Sequence, residues 1–269
     1  MKILPRKTEL YEIVGDNLEM LKVKVQGQPV FAEAGKMIYL KGGVNMETRM
    51  STSKDKGFFG KILEAGKRML AGESLFLTYF TGSGEVGFAG DFPGRILPVE
   101  LQGESILAQK DAFLAGIGDI EISIALQKRI GGALFGGEGF IVEKLSGRGI
   151  VFLHAGGDLV SFELAPGEVL RVDTGCSVAW DERVTYDIQF VGGIKTTIFG
   201  GEGLFLNTLT GPGTVIIQTM PLSKLRRQLQ AGGEKEASEN PVTKTIGAGA
   251  LGTAIGGILG GILGDDDNS

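Results

Sequence analysis

Histidine and cysteine are almost missing from this chain, whose 269 residues carry one of each, His154 and Cys176. A lone cysteine excludes an internal disulfide and a cysteine-rich zinc site. It is consistent with a reducing compartment. A lone histidine excludes a metal centre built from several histidines of one chain, so a cupin-like metalloenzyme loses its usual ligands. Carboxylate sites and sites shared between subunits stay open. Positive charge is also short: 27 Lys and Arg stand against 32 Asp and Glu, a net charge of −5. No global basic footprint for nucleic acid results. RNP and zinc-knuckle signatures are absent too, and no nucleic-acid partner is expected. The opening Met1-Lys2-Ile3-Leu4-Pro5-Arg6-Lys7 lacks the apolar run of a secretory signal and the Arg- and Ser-rich stretch of an organelle presequence. The body is read as cytoplasmic.

Glycine is what the chain has in excess, at 45 positions spread through apolar segments. That distribution suits many short strands and tight turns, where positive φ is needed often. The glycines also repeat. Gly72-Glu73-Ser74 is followed by Thr81-Gly82-Ser83-Gly84, Gly137-Glu138-Gly139 by Ser146-Gly147-Arg148-Gly149, and Gly201-Glu202-Gly203 by Thr210-Gly211-Pro212-Gly213. The copies are about 65 residues apart, too long for a solenoid unit and right for a small folded module. Apolar β-forming runs such as Leu75 to Phe80, Phe140 to Val142 and Leu204 to Leu206 occupy matching places. After each Gly-x-Gly, read as a hairpin turn, another strand follows (Ile150 to Leu153, Thr214 to Gln218). Leu18 to Val25 alternates as a half-buried strand does. The expected units are β modules at 1–90, 91–156 and 157–221, a short helix and linker at 222–244, and an apolar tail at 245–269.

The signature residues carry two readings. Glu73, Glu138 and Glu202 could ring a pseudo-threefold axis and hold a cation. Alternatively a carboxylate beside glycine turns accepts backbone N–H bonds, a structural role that extends to Gly72, Gly82, Gly84, Gly137, Gly147, Gly149, Gly201, Gly211 and Gly213. Gly82-Ser83-Gly84-Glu85-Val86-Gly87 also matches the dinucleotide fingerprint in letters. That chemistry needs a helix to start there, and Phe88-Ala89-Gly90-Asp91-Phe92-Pro93-Gly94 cannot sustain one. A Cys176–His154 nucleophile–base pair has no motif behind it. Both residues sit in apolar, strand-like contexts and read as core cysteine and partly buried histidine.

Two segments suggest contact with a partner. An insertion in the first module, within 51–70, places Phe59, Ile62, Leu63, Met69 and Leu70 on one helical stripe, with Phe58 beside it. It packs on protein or faces lipid. In the tail, Gly252, Gly256, Gly260 and Gly264 fall at four-residue spacing, the small-xxx-small pattern of packed membrane helices. Twenty residues span about 30 Å as a helix, enough for a hydrocarbon core. The apolar gain is only roughly −3 kcal/mol, marginal for a lone span. A disordered or self-associating tail is the alternative.

Taken together, Leu70-Ala71-Gly72-Glu73-Ser74-Leu75-Phe76, Phe152-Leu153-His154-Ala155-Gly156-Gly157 and Phe199-Gly200-Gly201-Glu202-Gly203-Leu204 resemble the mitochondrial-biogenesis "altered inheritance of mitochondria" family over about 1–221. The resemblance implies an all-β fold of three tandem modules like the trp RNA-binding attenuation protein (TRAP), each a short double-stranded β-helix, in a pseudo-threefold arrangement. For mitochondrial members it implies a role in inner-membrane organisation, and it implies no catalytic activity and no cofactor. The expected function is a non-enzymatic scaffold, homo-oligomeric, touching a membrane surface or a membrane-protein complex through the insertion or the tail. The alternative is a soluble ligand- or RNA-binding β module. An enzyme ranks last, and a cleft joining His154 to a carboxylate would revive it.

Overall fold

The computed structural model describes residues 1–50, 76–128, 140–191, 204–226 and 228–229. Met1–Leu222 form one compact unit and Ser223–Ser269 a second. In the second, 223–226 and 228–229 are helical, within the segment expected to hold a short helix, and Leu229 is 70% exposed.

The first unit is nearly all β, with open sheets. Its strands are β1 (Lys2–Ile3), β2 (Tyr11–Val14), β3 (Met20–Gln26), β4 (Val30–Glu33), β5 (Met37–Met50), β6 (Phe76–Ala89), β7 (Gly94–Gln109), β8 (Phe113–Lys128) and β9 (Phe140–Gly156). They continue as β10 (Leu159–Leu164), β11 (Val169–Asp173), β12 (Ser177–Asp181), β13 (Thr185–Val191), β14 (Leu204–Thr210) and β15 (Gly213–Gln218). Twelve form one sheet in the order β10-β15-β12-β7-β9-β8-β4-β6-β3-β2, with β1 beside β7 and β5 beside β6. The remaining three make a small sheet, β11-β14-β13. Alternation places Leu21, Val23 and Val25 of β3 fully inside while Lys24 stays out, the half-buried pattern read in the sequence.

The Gly-x-Gly signatures are not hairpin turns in the first two copies. Gly82 and Gly84 lie inside β6, and Gly147 and Gly149 inside β9, each strand running on unbroken. They are close-approach points. A Cβ on Gly82 would stand 2.1 Å from the Gly43 carbonyl oxygen, and one on Gly147 would stand 2.1 Å from that of Asp119. Both have positive φ, 105° and 119°. Glycine therefore lets a long strand kink against its neighbour without losing the ladder. In the third copy Pro212 has no N–H to give a ladder, and the strand breaks there. Its halves go to different sheets, β14 to the small one and β15 to the large. The Gly211 N–H, donated to the Glu168 carbonyl at 2.9 Å, pins the break to the turn between β10 and β11.

One pairing register recurs three times. Counted from the signature glycines, Leu40 opposite Val86, Gly116 opposite Val151 and Trp180 opposite Val215 are equivalent pairs. Each is preceded by a register shift at the same place, between Met37 and Tyr39, Phe113 and Ala115, and Ser177 and Ala179. The core forms three apolar clusters, around Phe88 and Phe152, around Leu101 and Leu145, and around Trp180 and Phe140.

Candidate functional site

Of the residues singled out in the sequence, Gly72, Glu73, Gly137, Glu138, Gly201 and Glu202 lie outside the described residues, as do Phe58, Phe59, Ile62, Leu63, Gly252, Gly256, Gly260 and Gly264. The described glycines Gly82, Gly84, Gly147, Gly149 and Gly211 lie against backbone carbonyls, Gly213 lies against the Val184 and Asp181 side chains, and no helix begins at 82–87. Among the described residues no group of three or more His, Cys, Asp or Glu side chains is placed to hold a metal ion.

His154 is more buried than the sequence suggested. The loop before β7 lies directly on its ring: a Cβ on Gly90 would stand 2.3 Å from the imidazole, and Phe92 meets it edge-on at 4.7 Å. Burial, and then the nearby Lys36 ammonium, push its pKa below the usual histidine value. It is a neutral packing group under a loop. Cys176 has separate surroundings, buried in the cluster around Trp180.

Two buried carboxylates stand out. The Glu19 side chain is fully enclosed, and its Oε1 accepts from Arg6 Nη1 at 2.5 Å and Arg95 Nη1 at 3.0 Å. Its Oε2 accepts the Ile96 backbone N–H at 2.6 Å. Every strong bond this carboxylate makes is a tether. Glu143, on β9, differs: its Oε2 is buried without a hydrogen-bond partner. Burial first, and the Glu33 carboxylate second, raise its pKa to about 8. A protonated carboxyl at neutral pH removes the charge that the site cannot solvate. Sequence reading missed both, because Glu19 and Glu143 are ordinary acidic letters in strand-like runs.

A shallow cleft of about 340 Å³ opens at the β7–β9 crossing, lined by Glu100, Leu101, Gln102, Arg148, Gly149 and Ile150. Its two charged groups have opposite sign, and Lys2 bonds Glu100 at the rim.

The most distinctive surface is a pair of strand edges. Two joints use the same register: β4 pairs β8 with Phe31 opposite Gly116, and β7 pairs β12 with Leu107 opposite Trp180. These four residues are all buried. By the same count, Leu40 on β5 corresponds to Gly116 and Trp180, and Arg171 on β11 corresponds to Phe31 and Leu107. Neither meets a counterpart. Among the described residues β5 pairs only with β6, and β11 only with β14. Apolar side chains stand out beside both edges, Ile38 at 53%, Leu40 at 37% and Val169 at 50% exposure. An unpaired strand edge offers a row of N–H and C=O groups that can capture another strand.

Long strands with glycine crossings and recurring joints define a nearly all-β protein, in which β5 and β11 each present an unpaired edge among the described residues. The chain belongs to the family described as Mitochondrial biogenesis AIM24, whose model matches residues 11–220. It is similar to the uncharacterized protein M6_Spy0233 of Streptococcus pyogenes serotype M6, 32% identical over 208 residues, covering 76% of this chain and 82% of that one. It also resembles the X-ray crystal structure of protein SPYM3_0169 from Streptococcus pyogenes, with a TM-score of 0.65 and 27% identity. That match covers 82% of this chain and 98% of the other.

Proposed function

We propose that this chain is a non-enzymatic scaffold, built from three tandem TRAP-like β modules, that works as a homo-oligomer at a membrane surface or on a membrane-protein complex. The threefold recurrence of one strand register, with its shift before each equivalent pair, supports the modular reading. The observation that carries the scaffold reading is the open edge of β5, a 14-residue strand with apolar side chains standing out of it. An edge of that length is normally short, charged or covered in a protein that works alone.

The membrane clause rests on the apolar stripe at 57–70 and the glycine spacing at 252–264, both outside the described residues. Among the described residues no helix is long and apolar enough to cross a membrane. Co-sedimentation with anionic liposomes, comparing the full chain with a 1–230 truncation, tests the clause. Pelleting of the full chain and loss on truncation assigns lipid contact to the tail, and equal pelleting assigns it to the body. Failure of both to pellet removes the membrane from the proposal. Light scattering on the full chain tests the oligomer, and a monomer at micromolar concentration overturns it.

A further inference from the structure

We infer that a second copy of this chain occupies the open edge, β11 of one copy adding antiparallel to β5 of the next. This deepens the scaffold proposal and rests on its modular reading. The argument is one of repetition. Within the chain, the segment 30–32 of β4 binds 115–117 of β8, and 106–108 of β7 binds 179–181 of β12. The first-named partner in each joint corresponds to 170–172 of β11, and the second to 39–41 of β5. Among the described residues, two joints of one kind thus leave one unused half at each end of the series. The halves are complementary to each other and not to themselves. Continuing the series sets Arg171 of one copy opposite Leu40 of the next, with Leu170 opposite Lys41 and Val172 opposite Tyr39.

The exposure of the side chains agrees with that continuation, with Arg171 standing where the used joints have Phe31 and Leu107. At the used joints the facing residues are buried, whereas at the unused halves Leu40 is exposed, with Ile38 and Val169 beside the pairs. Pairing supplies partners for the free backbone groups and removes those apolar side chains from water together. Because the two halves differ, the contact is head-to-tail. It closes into a ring if the rotation per copy allows, and runs on as a filament otherwise.

Directly opposed antiparallel residues have Cβ atoms about 4.5–5.5 Å apart, near the separation a disulfide bridges with small adjustment. The test uses full-length Leu40→Cys and Arg171→Cys chains, purified separately and mixed under mild oxidation, with Cys176 buried in both. A covalent dimer in the mixture, scarce in either variant alone, is the expected result on a non-reducing gel. Three outcomes overturn the inference: no cross-link in the mixture, equal cross-linking of one variant with itself, or efficient cross-linking within a single chain of the double variant. Light scattering separates the two levels. An oligomer that fails to cross-link sinks this edge but not the scaffold, and a monomer sinks both. As a second check, Leu40→Lys sets a like charge opposite Arg171, and the variant oligomer is expected to dissociate at least tenfold more readily than the wild type.

Discussion

Glu19 accepts the backbone N–H of Ile96 at 2.6 Å, so a side chain 77 positions upstream fixes the start of β7. Arg6 and Arg95 hold the same carboxylate. Removing it leaves the buried Ile96 N–H without an acceptor, while Arg6 keeps the Gly15 carbonyl and Arg95 keeps Asp158. Glu19→Ala is expected to cost about 1–3 kcal/mol, the range for leaving a buried donor unpaired. Glu19→Gln keeps one acceptor and is expected to cost less. Urea unfolding of the three proteins checks the ranking, and an unchanged midpoint for Glu19→Ala would sink it.

The glycine crossings predict a contrast between sites of similar φ. Gly147→Ala drives a Cβ to 2.1 Å from the Asp119 carbonyl oxygen at a positive φ, whereas Gly103→Ala meets no atom within 4 Å at φ 113°. The first is expected to lose about 3 kcal/mol or more and the second about 1 kcal/mol, the backbone contribution alone. Equal losses in denaturant titrations would show that the close approach does not matter.

Glu143 predicts a loss of stability toward alkaline pH. Its carboxyl keeps its proton in the folded state up to about pH 8, while the unfolded chain releases it near 4.5. The native state therefore binds more protons between those values, and stability falls as pH rises through that window. Glu33 and Asp111 add to the shift and Lys110 opposes it. In Glu143→Gln this part of the pH dependence disappears. The unfolding temperature of the variant relative to wild type is expected to rise by several degrees between pH 5 and pH 9. A constant difference across that range would contradict the assignment.

His154 predicts a loss on the acid side. Its pKa is depressed by burial and by Lys36, so below the ordinary value of 6.5 the unfolded chain takes up a proton that the folded chain refuses. Stability then drops as pH falls below about 6.5. His154→Gln loses packing against Phe92 and is less stable at pH 7.5, but its deficit is expected to shrink toward pH 5. Thermal melts across that interval decide it, and a deficit that widens on acidification would reverse the reading.

The all-β class was legible because local signals agreed: apolar β-forming residues at Phe76 to Phe80 and Thr214 to Gln218 fall inside strands. The signature glycines were legible as special positions but not as what they are. A hairpin turn and a kink inside a continuous strand demand the same residue, since both need backbone that a Cβ would obstruct. Only the facing strand distinguishes them, and Gly43 and Asp119 carry no mark of that role in the sequence. His154 was read as partly buried for the same reason: the Gly90–Gly94 loop that covers it is remote in the chain.

By itself the sequence determined the strand content, the recurrence of one glycine pattern and the exclusion of histidine-rich and disulfide-based chemistry, because these follow from residue type and local spacing. Tertiary structure alone decided that Glu19 is a tether, that burial raises the pKa of Glu143, and that β5 and β11 each keep one edge unpaired among the described residues. Partners for a carboxylate or a strand edge come from segments tens of residues away, and which of them arrive is set by how the whole sheet packs.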